Sequence, residues 1–232
     1  MVRLKIDSLK AILVATFEEA VFLRTGVRKQ LGVRKARSIR CFNADAADYD
    51  STYEHYTKDT HPMVLAELEK ISFNSALDVS CGTGSILSMI SSSVRKFGLD
   101  MSPKMIYRAR QKLGDGADLV VGDSEMLPYV NGSFDVVTCI LAFHHFEQPE
   151  MVIREMRRVL GKGGRIIIAD AFEPILWRRL RANIMGRAFV SESGDIHFYS
   201  EKEIKLLLNR SGFQNTVWQS AGKSFIATSV RN

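Results

Sequence analysis

Three aspartates and a glycine turn set the chemistry open to this chain. Ala76-Leu-Asp-Val-Ser-Cys-Gly-Thr-Gly-Ser-Ile-Leu87 reads as an apolar strand running into a tight turn and then a helix. Such a junction aims backbone N–H groups and a helix N-terminus at the carboxyl edge of a parallel sheet, where nucleotide-like ligands bind. Gly82 and Gly84 permit positive φ and leave no Cβ in a ligand's path. Asp100 follows Asp78 by 22 positions, at the end of the next apolar run. A carboxylate there can accept bonds from both hydroxyls of a ribose. Met101 beside it offers a polarizable thioether to an adenine face. Asp123 sits in a turn after the third run, and its plainer reading is a turn aspartate. Asp78 has two readings, orienting the loop N–H groups or touching an amino group of the ligand, and the loop role is preferred.

The elements that must position these residues alternate. Candidate strands are Ala76–Val79, Lys96–Leu99, Ala117–Val121, Phe134–Leu141 and Arg165–Asp170. Each is followed by helical spacing, which implies right-handed crossovers and a parallel sheet. Ser102-Pro103 is an N-cap with proline at the first helical position, closed by Gly114, and Pro149 opens another helix that Gly161 ends. Ser200-Glu-Lys-Glu203 is a capping box, and Gly212 marks that helix's exit. Phe213–Gln219 and Ser224–Val230 then read as an antiparallel hairpin around Ala221-Gly222-Lys223.

Ahead of this unit, residues 4–23 carry apolar positions at helical spacing. Residues 24–44 read as a basic connector, with Gly26 and Gly32. The expected division is 1–44 as an N-terminal amphipathic helix and connector, and 45–232 as the α/β domain. Tyr49, Tyr53 and Tyr56 fall on one helix side, and a further helix begins near Pro62.

The chain has 232 residues and is 46% hydrophobic, enough for one sizeable α/β core. No apolar run approaches a membrane span and no signal peptide is evident, so a cytoplasmic location is expected. Cys41, Cys81 and Cys139 have no metal spacing and read as reduced thiols. Net charge is +6, yet seven cations with no intervening acid lie between Arg24 and Arg40. The rest of the chain is therefore close to neutral. A basic run of this kind is a solvated face or an arm for anionic partners.

Asp78-Val-Ser-Cys-Gly-Thr-Gly84 resembles the first motif of the class I S-adenosylmethionine-dependent methyltransferases, D-x-G-x-G-x-G, with Ser80 in place of its first glycine. Gly122-Asp123-Ser124 and the run Gly132 to Val137 are similar to later signatures of that superfamily. So is Arg157 to Gly164. The resemblance covers roughly 45–230 and is closest to the ubiquinone and menaquinone methyltransferase branch with its type 11 domain.

The resemblance implies a Rossmann-like, doubly wound seven-stranded sheet of order 3-2-1-4-5-7-6 with an antiparallel C-terminal hairpin. It also implies S-adenosylmethionine as cofactor, S-adenosylhomocysteine as product, and no metal. The loop Ser80, Cys81, Gly82 and Gly84 would hold the methionine portion. Asp100 and Met101 would take the ribose and adenine face, and Asp123 and Ser124 the adenine edge. Ile140 and Leu141 would wall the sulfonium. Ser80 fits if its backbone stays in an ordinary region.

His144 and His145 are adjacent, so their side chains diverge and a metal site is not expected. Either is a packed helix-start histidine or a general base, with His145 the preferred base. Residues 172–199, with Trp177, are amphipathic enough for a lid, which with the tyrosines would close over the acceptor. The same apolar residues equally suit a homodimer interface.

The favoured acceptor is a small, partly apolar molecule. An RNA or protein methyltransferase using the basic arm is a second reading, although Ala142-Phe143-His144-His145 stands where many amino-group nucleic-acid methylases carry Asn-Pro-Pro-Tyr. A non-catalytic binding protein is a third. A nicotinamide dehydrogenase would want glycine at Leu87.

Overall fold

Ser75–Val79 forms β1 and is buried at every position, as befits a strand covered on both faces. The computed structural model describes residues 26–172 and 197–232, with side chains from residue 32 onward. The helix expected over 4–23, and nearly all of the expected lid with Trp177, fall outside the described residues.

β1 lies at the centre of a seven-stranded sheet with β2 (Arg95–Asp100), β3 (Asp118–Val121), β4 (Phe134–Ile140), β5 (Leu160–Ala171), β6 (Phe213–Ala221) and β7 (Ser224–Arg231). The order is β3-β2-β1-β4-β5-β7-β6, as the motif resemblance implied. β1 to β5 run parallel, with Leu77 level with Phe97 on one side and Val137 on the other. β7 is antiparallel to both β5 and β6. The hairpin turns at Gly222, whose φ of 56° suits glycine.

Seven helices are described: α1 (Gly26–Asp45), α2 (Tyr49–Thr52), α3 (Glu54–Leu68), α4 (Ser85–Met89), α5 (Pro103–Leu113), α6 (Pro149–Val159) and α7 (Glu201–Arg210). Ser102 Oγ accepts from Met105 N–H at 3.1 Å and caps α5. Ser200 and Glu203 form the capping box of α7. Alternation along the strands sends side chains to opposite faces. Leu77, Val137 and Ile168 pack with Ile153 and Met156 of α6 and Ile204 and Leu208 of α7. Ala76, Val136 and Ile167 pack with Val64 of α3, Leu87 of α4 and Ile106 of α5.

Three expectations are corrected. The basic connector is a helix of 20 residues, α1. Gly32 in its interior costs about 1 kcal/mol, and α1 is held to the domain by Lys35 on Asp123 and by Asn43 on Ser102. The helix expected to start near Pro62 starts at Glu54 and carries Pro62 inside. The ring removes one helical donor, but Thr60 Oγ1 bonds the Tyr56 carbonyl and Ser224 Oγ, each at 2.9 Å, and pins that turn to the sheet. α6 ends at Val159 and passes straight into β5, so Gly161 is a strand residue. Among the described residues no helix is long and apolar enough to cross a membrane.

Candidate active site

The carboxyl ends of β1 to β4 open into a cleft of about 530 Å³ roofed by α1 and α2, within the range of small-molecule sites. The loop after β1 forms its floor. Ser80, Gly82 and Gly84 have φ of 60°, 54° and 75°. Ser80 is therefore not in the ordinary region expected of it; the loop keeps a left-handed turn there with a side chain in place. Its hydroxyl lies 3.1 Å from that of buried Ser124, a cross-loop bond that glycine could not make.

The two glycines serve different ends. A Cβ on Gly84 would come within 2.8 Å of Leu113, so this position sets the approach of α4 to α5. A Cβ on Gly82 would find only Tyr49, at 4.0 Å across the cleft. The backbone at Gly82 is thus open to a ligand, and the loop fits the methionine portion of S-adenosylmethionine. Cys81 lines the cleft as a buried thiol. Burial, then Asp100 and Asp78, push it well above its usual pKa, which leaves it inert as a nucleophile.

The loop-orienting carboxylate is Asp100 rather than Asp78. Asp100 Oδ2 accepts from Gly82 N–H at 2.9 Å and Oδ1 from Ser102 N–H at 2.8 Å. Each oxygen has a second lone-pair site, so Asp100 keeps acceptor capacity towards the cleft it lines with Met101. Asp78 Oδ1 instead accepts from Thr138 Oγ1 at 2.7 Å. Burial and nearby Asp100 lift the Asp78 carboxyl to about 7, with the Thr138 bond opposing.

Asp123 follows β3. Its Oδ1 accepts from Glu125 N–H at 3.0 Å, and its Oδ2 from Lys35 Nζ of α1 at 2.7 Å. Lys35 also pairs with Glu125 Oε2 at 2.7 Å. Burial lowers the Lys35 ammonium, but Asp123 and Glu125 outweigh it and hold the group above the usual lysine range. Ile140 and Leu141 complete the wall at the end of β4. Leu141 has φ of 53°, an uncommon geometry for leucine, and its N–H is held by Ala169 O at 2.8 Å.

A short 3₁₀ turn, Phe143–His145, carries both histidines, and their side chains do not diverge as expected: the ring centroids lie 3.9 Å apart. His145 lines the cleft, with its ring edge-on to Phe42 at 5.2 Å. His144 turns to the sheet: Asp170, 1% exposed, takes its ring Nδ1 at 2.6 Å and its backbone N–H at 2.9 Å. Tyr49 and Tyr53 line the cleft with ring centroids 4.6 Å apart. Burial pushes the Tyr49 phenol up. Tyr56 is not among the lining residues and sits against His55. The break between α2 and α3 at Tyr53 shifts the helical phase, so the three tyrosines do not share a face.

Sequence reasoning missed what α1 brings. Lys35, Ile39 and Phe42 all line the cleft, and Ile39, Phe42 and Ala46 keep a helical spacing that was the available signal. It also missed the cluster in which Lys112 Nζ meets Asp50 Oδ2 at 2.6 Å and Ser85 Oγ at 2.8 Å.

A sheet of this order, ended by an antiparallel hairpin and carrying a glycine loop and strand-end carboxylates, defines a class I methyltransferase domain. Residues 77–168 match the family described as Methyltransferase domain. The chain thus carries the domain of an S-adenosylmethionine-dependent methyltransferase and resembles the quinone methyltransferases. It is 31% identical over 150 residues to the demethylmenaquinone methyltransferase of Thermotoga maritima, a match covering 62% of this chain and 65% of that one. It is 28% identical over 225 residues to that of Lactococcus lactis, covering 84% and 89%. A solved S-adenosylmethionine-dependent methyltransferase from Thermotoga maritima shares the fold, with a TM-score of 0.64 at 20% identity over 82% of this chain and 98% of that one.

Proposed function

We propose that this chain moves the methyl group of S-adenosylmethionine to a small, partly apolar acceptor with a quinol-like ring. One observation carries the reading: the Gly82 cradle opens into the same cleft as the aromatic wall of Phe42, Tyr49 and Phe146. Relatives named demethylmenaquinone methyltransferase support the acceptor class.

The bound cofactor supplies an activated methyl on a sulfonium. The chain's residues place it and exclude water. The Gly82 backbone receives the methionine portion, Asp100 the ribose hydroxyls, and Asp123 the adenine amine. Met101 covers the adenine face, and Ile140 and Leu141 keep the sulfonium side dry. His145, at the cleft wall, is the candidate to take a proton from an acceptor hydroxyl.

The test is transfer of labelled methyl into an extract of the source cells, split into organic-soluble, aqueous small-molecule, RNA and protein fractions. Label in the organic-soluble fraction supports the reading. Label confined to RNA or protein makes the cationic α1 a recognition element and overturns the small acceptor. No label with a panel of quinols added would favour a binding protein.

A further inference from the structure

Both oxygens of Asp123 already carry a donor, and one donor comes from a separate element. Lys35 Nζ bridges Asp123 Oδ2 and Glu125 Oε2, each at 2.7 Å, inside the cleft. One residue before it, Arg34 Nε pairs with Glu147 Oε1 at 3.3 Å while its side chain stays 63% exposed. About two turns on, Asn43 Oδ1 accepts from Ser102 Oγ at 2.7 Å and Lys104 N–H at 3.2 Å, and Asp45 Oδ2 accepts from the Tyr53 hydroxyl at 3.1 Å. Gly32, a weak helix former, lies one turn ahead of Lys35. The described N-terminal part of α1 thus lies on the cleft through ion pairs, and the C-terminal part through the hydrogen bonds of Asn43 and Asp45 and the ring of Phe42.

We propose that Lys35 is a built-in competitor for the adenine amine: it occupies Asp123, and cofactor binding exchanges it and loosens the N-terminal half of α1. The inference rests on the adenine role given to Asp123 above. An ammonium and an exocyclic amine are both N–H donors seeking the same carboxylate. After the exchange Lys35 retains Glu125, so its charge keeps a partner while the amine satisfies Asp123. The exchange replaces an ion pair with a neutral donor, so salt, which weakens the pair, aids cofactor binding. With Lys35 and Asp123 side chains 21% and 35% exposed, the pair opposes binding by about fivefold.

The test is calorimetric titration of S-adenosylhomocysteine into the full chain, Lys35→Gln and Asp123→Asn, at low and high salt. The same titrations use S-inosylhomocysteine, which lacks the amine. Lys35→Gln is expected to tighten S-adenosylhomocysteine about fivefold, abolish its gain with salt, and leave the preference for the amine at least as large. Asp123→Asn is expected to weaken it and erase that preference. If Asp123→Asn leaves the preference for the amine over S-inosylhomocysteine unchanged, the adenine reading fails. If Asp123→Asn weakens binding but Lys35→Gln weakens it or leaves it unchanged, the competitor role alone fails. Hydrogen exchange on the unmodified chain decides the matter without a variant: amides of residues 30–35, in the N-terminal half of α1, should exchange faster with S-adenosylhomocysteine bound, and slower exchange overturns the inference.

Discussion

Asp78 is where burial and charge conflict most plainly. Its folded carboxyl titrates near 7, against about 3.9 in an unfolded chain. A raised acid favours folding fully below its unfolded pKa, and that contribution is lost as pH climbs through the folded one. Asp78→Asn keeps an oxygen for Thr138 and cannot ionise. Its stability relative to the parent should therefore rise between about pH 4 and pH 7, by at most about 4 kcal/mol, and then level off. Urea unfolding at pH 5 and pH 8 reads this, and an equal gap at both would mean that Asp78 has an ordinary pKa. Ser80 poses a closer contest. Left-handed backbone costs a side-chain residue about 1 kcal/mol, while glycine gives up a similar amount in chain entropy and here the bond to Ser124. Ser80→Gly should leave stability within about 1 kcal/mol of the parent. Ser80→Val, β-branched at φ of 60°, should cost about 2 kcal/mol or more. Equal losses for both would assign the effect to the hydroxyl.

The glycines of one loop divide between packing and ligand once the elements around them are considered. Gly84→Ala drives a methyl into Leu113 of α5 and should cost about 2–3 kcal/mol in unfolding free energy, since α4 and α5 cannot part without opening the core. Gly82→Ala carries only its backbone strain, about 1–2 kcal/mol, but its methyl enters the cleft, so S-adenosylhomocysteine binding should fall at least tenfold. A calorimetric titration that found the two variants equally impaired would reject this division. The strands, the hairpin and both helix caps were legible because they rest on local spacing and local hydrogen bonds. The site was legible in part. Asp100 stood out at a strand end, but its bond to Gly82 joins positions 18 apart, and the loop role fell to Asp78 instead. α1 was read as a connector because its stabilising partners are remote: Lys35 and Asp123 are 88 positions apart. The adjacent histidines could not be assigned from spacing, because the Asp170 that holds His144 stands on another strand, 26 positions away.

At the scale of the molecule, ligand and fold are linked. The cleft is assembled from loops after four strands together with α1 and α2, so a ligand that fills it binds the folded chain alone. S-adenosylhomocysteine at 100 times its dissociation constant should raise the unfolding free energy by about 2.7 kcal/mol, seen as a rise in the thermal midpoint. An unmoved midpoint at that excess would argue that the cleft does not take the cofactor. The sheet order has a separate consequence. β7 is made after β6 yet lies between it and β5, and its first six residues are buried. On the ribosome, a chain whose residues from Ser224 onward are still in the exit tunnel cannot fill the edge of β5. Ile166 and Ile168 would then border an open strand while the rest of the parallel sheet already had its neighbours. Any nascent chain that pairs β1 to β5 before β7 is available therefore carries an open edge beside a finished parallel core, and a chaperone that shields it would act at that stage rather than at the first strand.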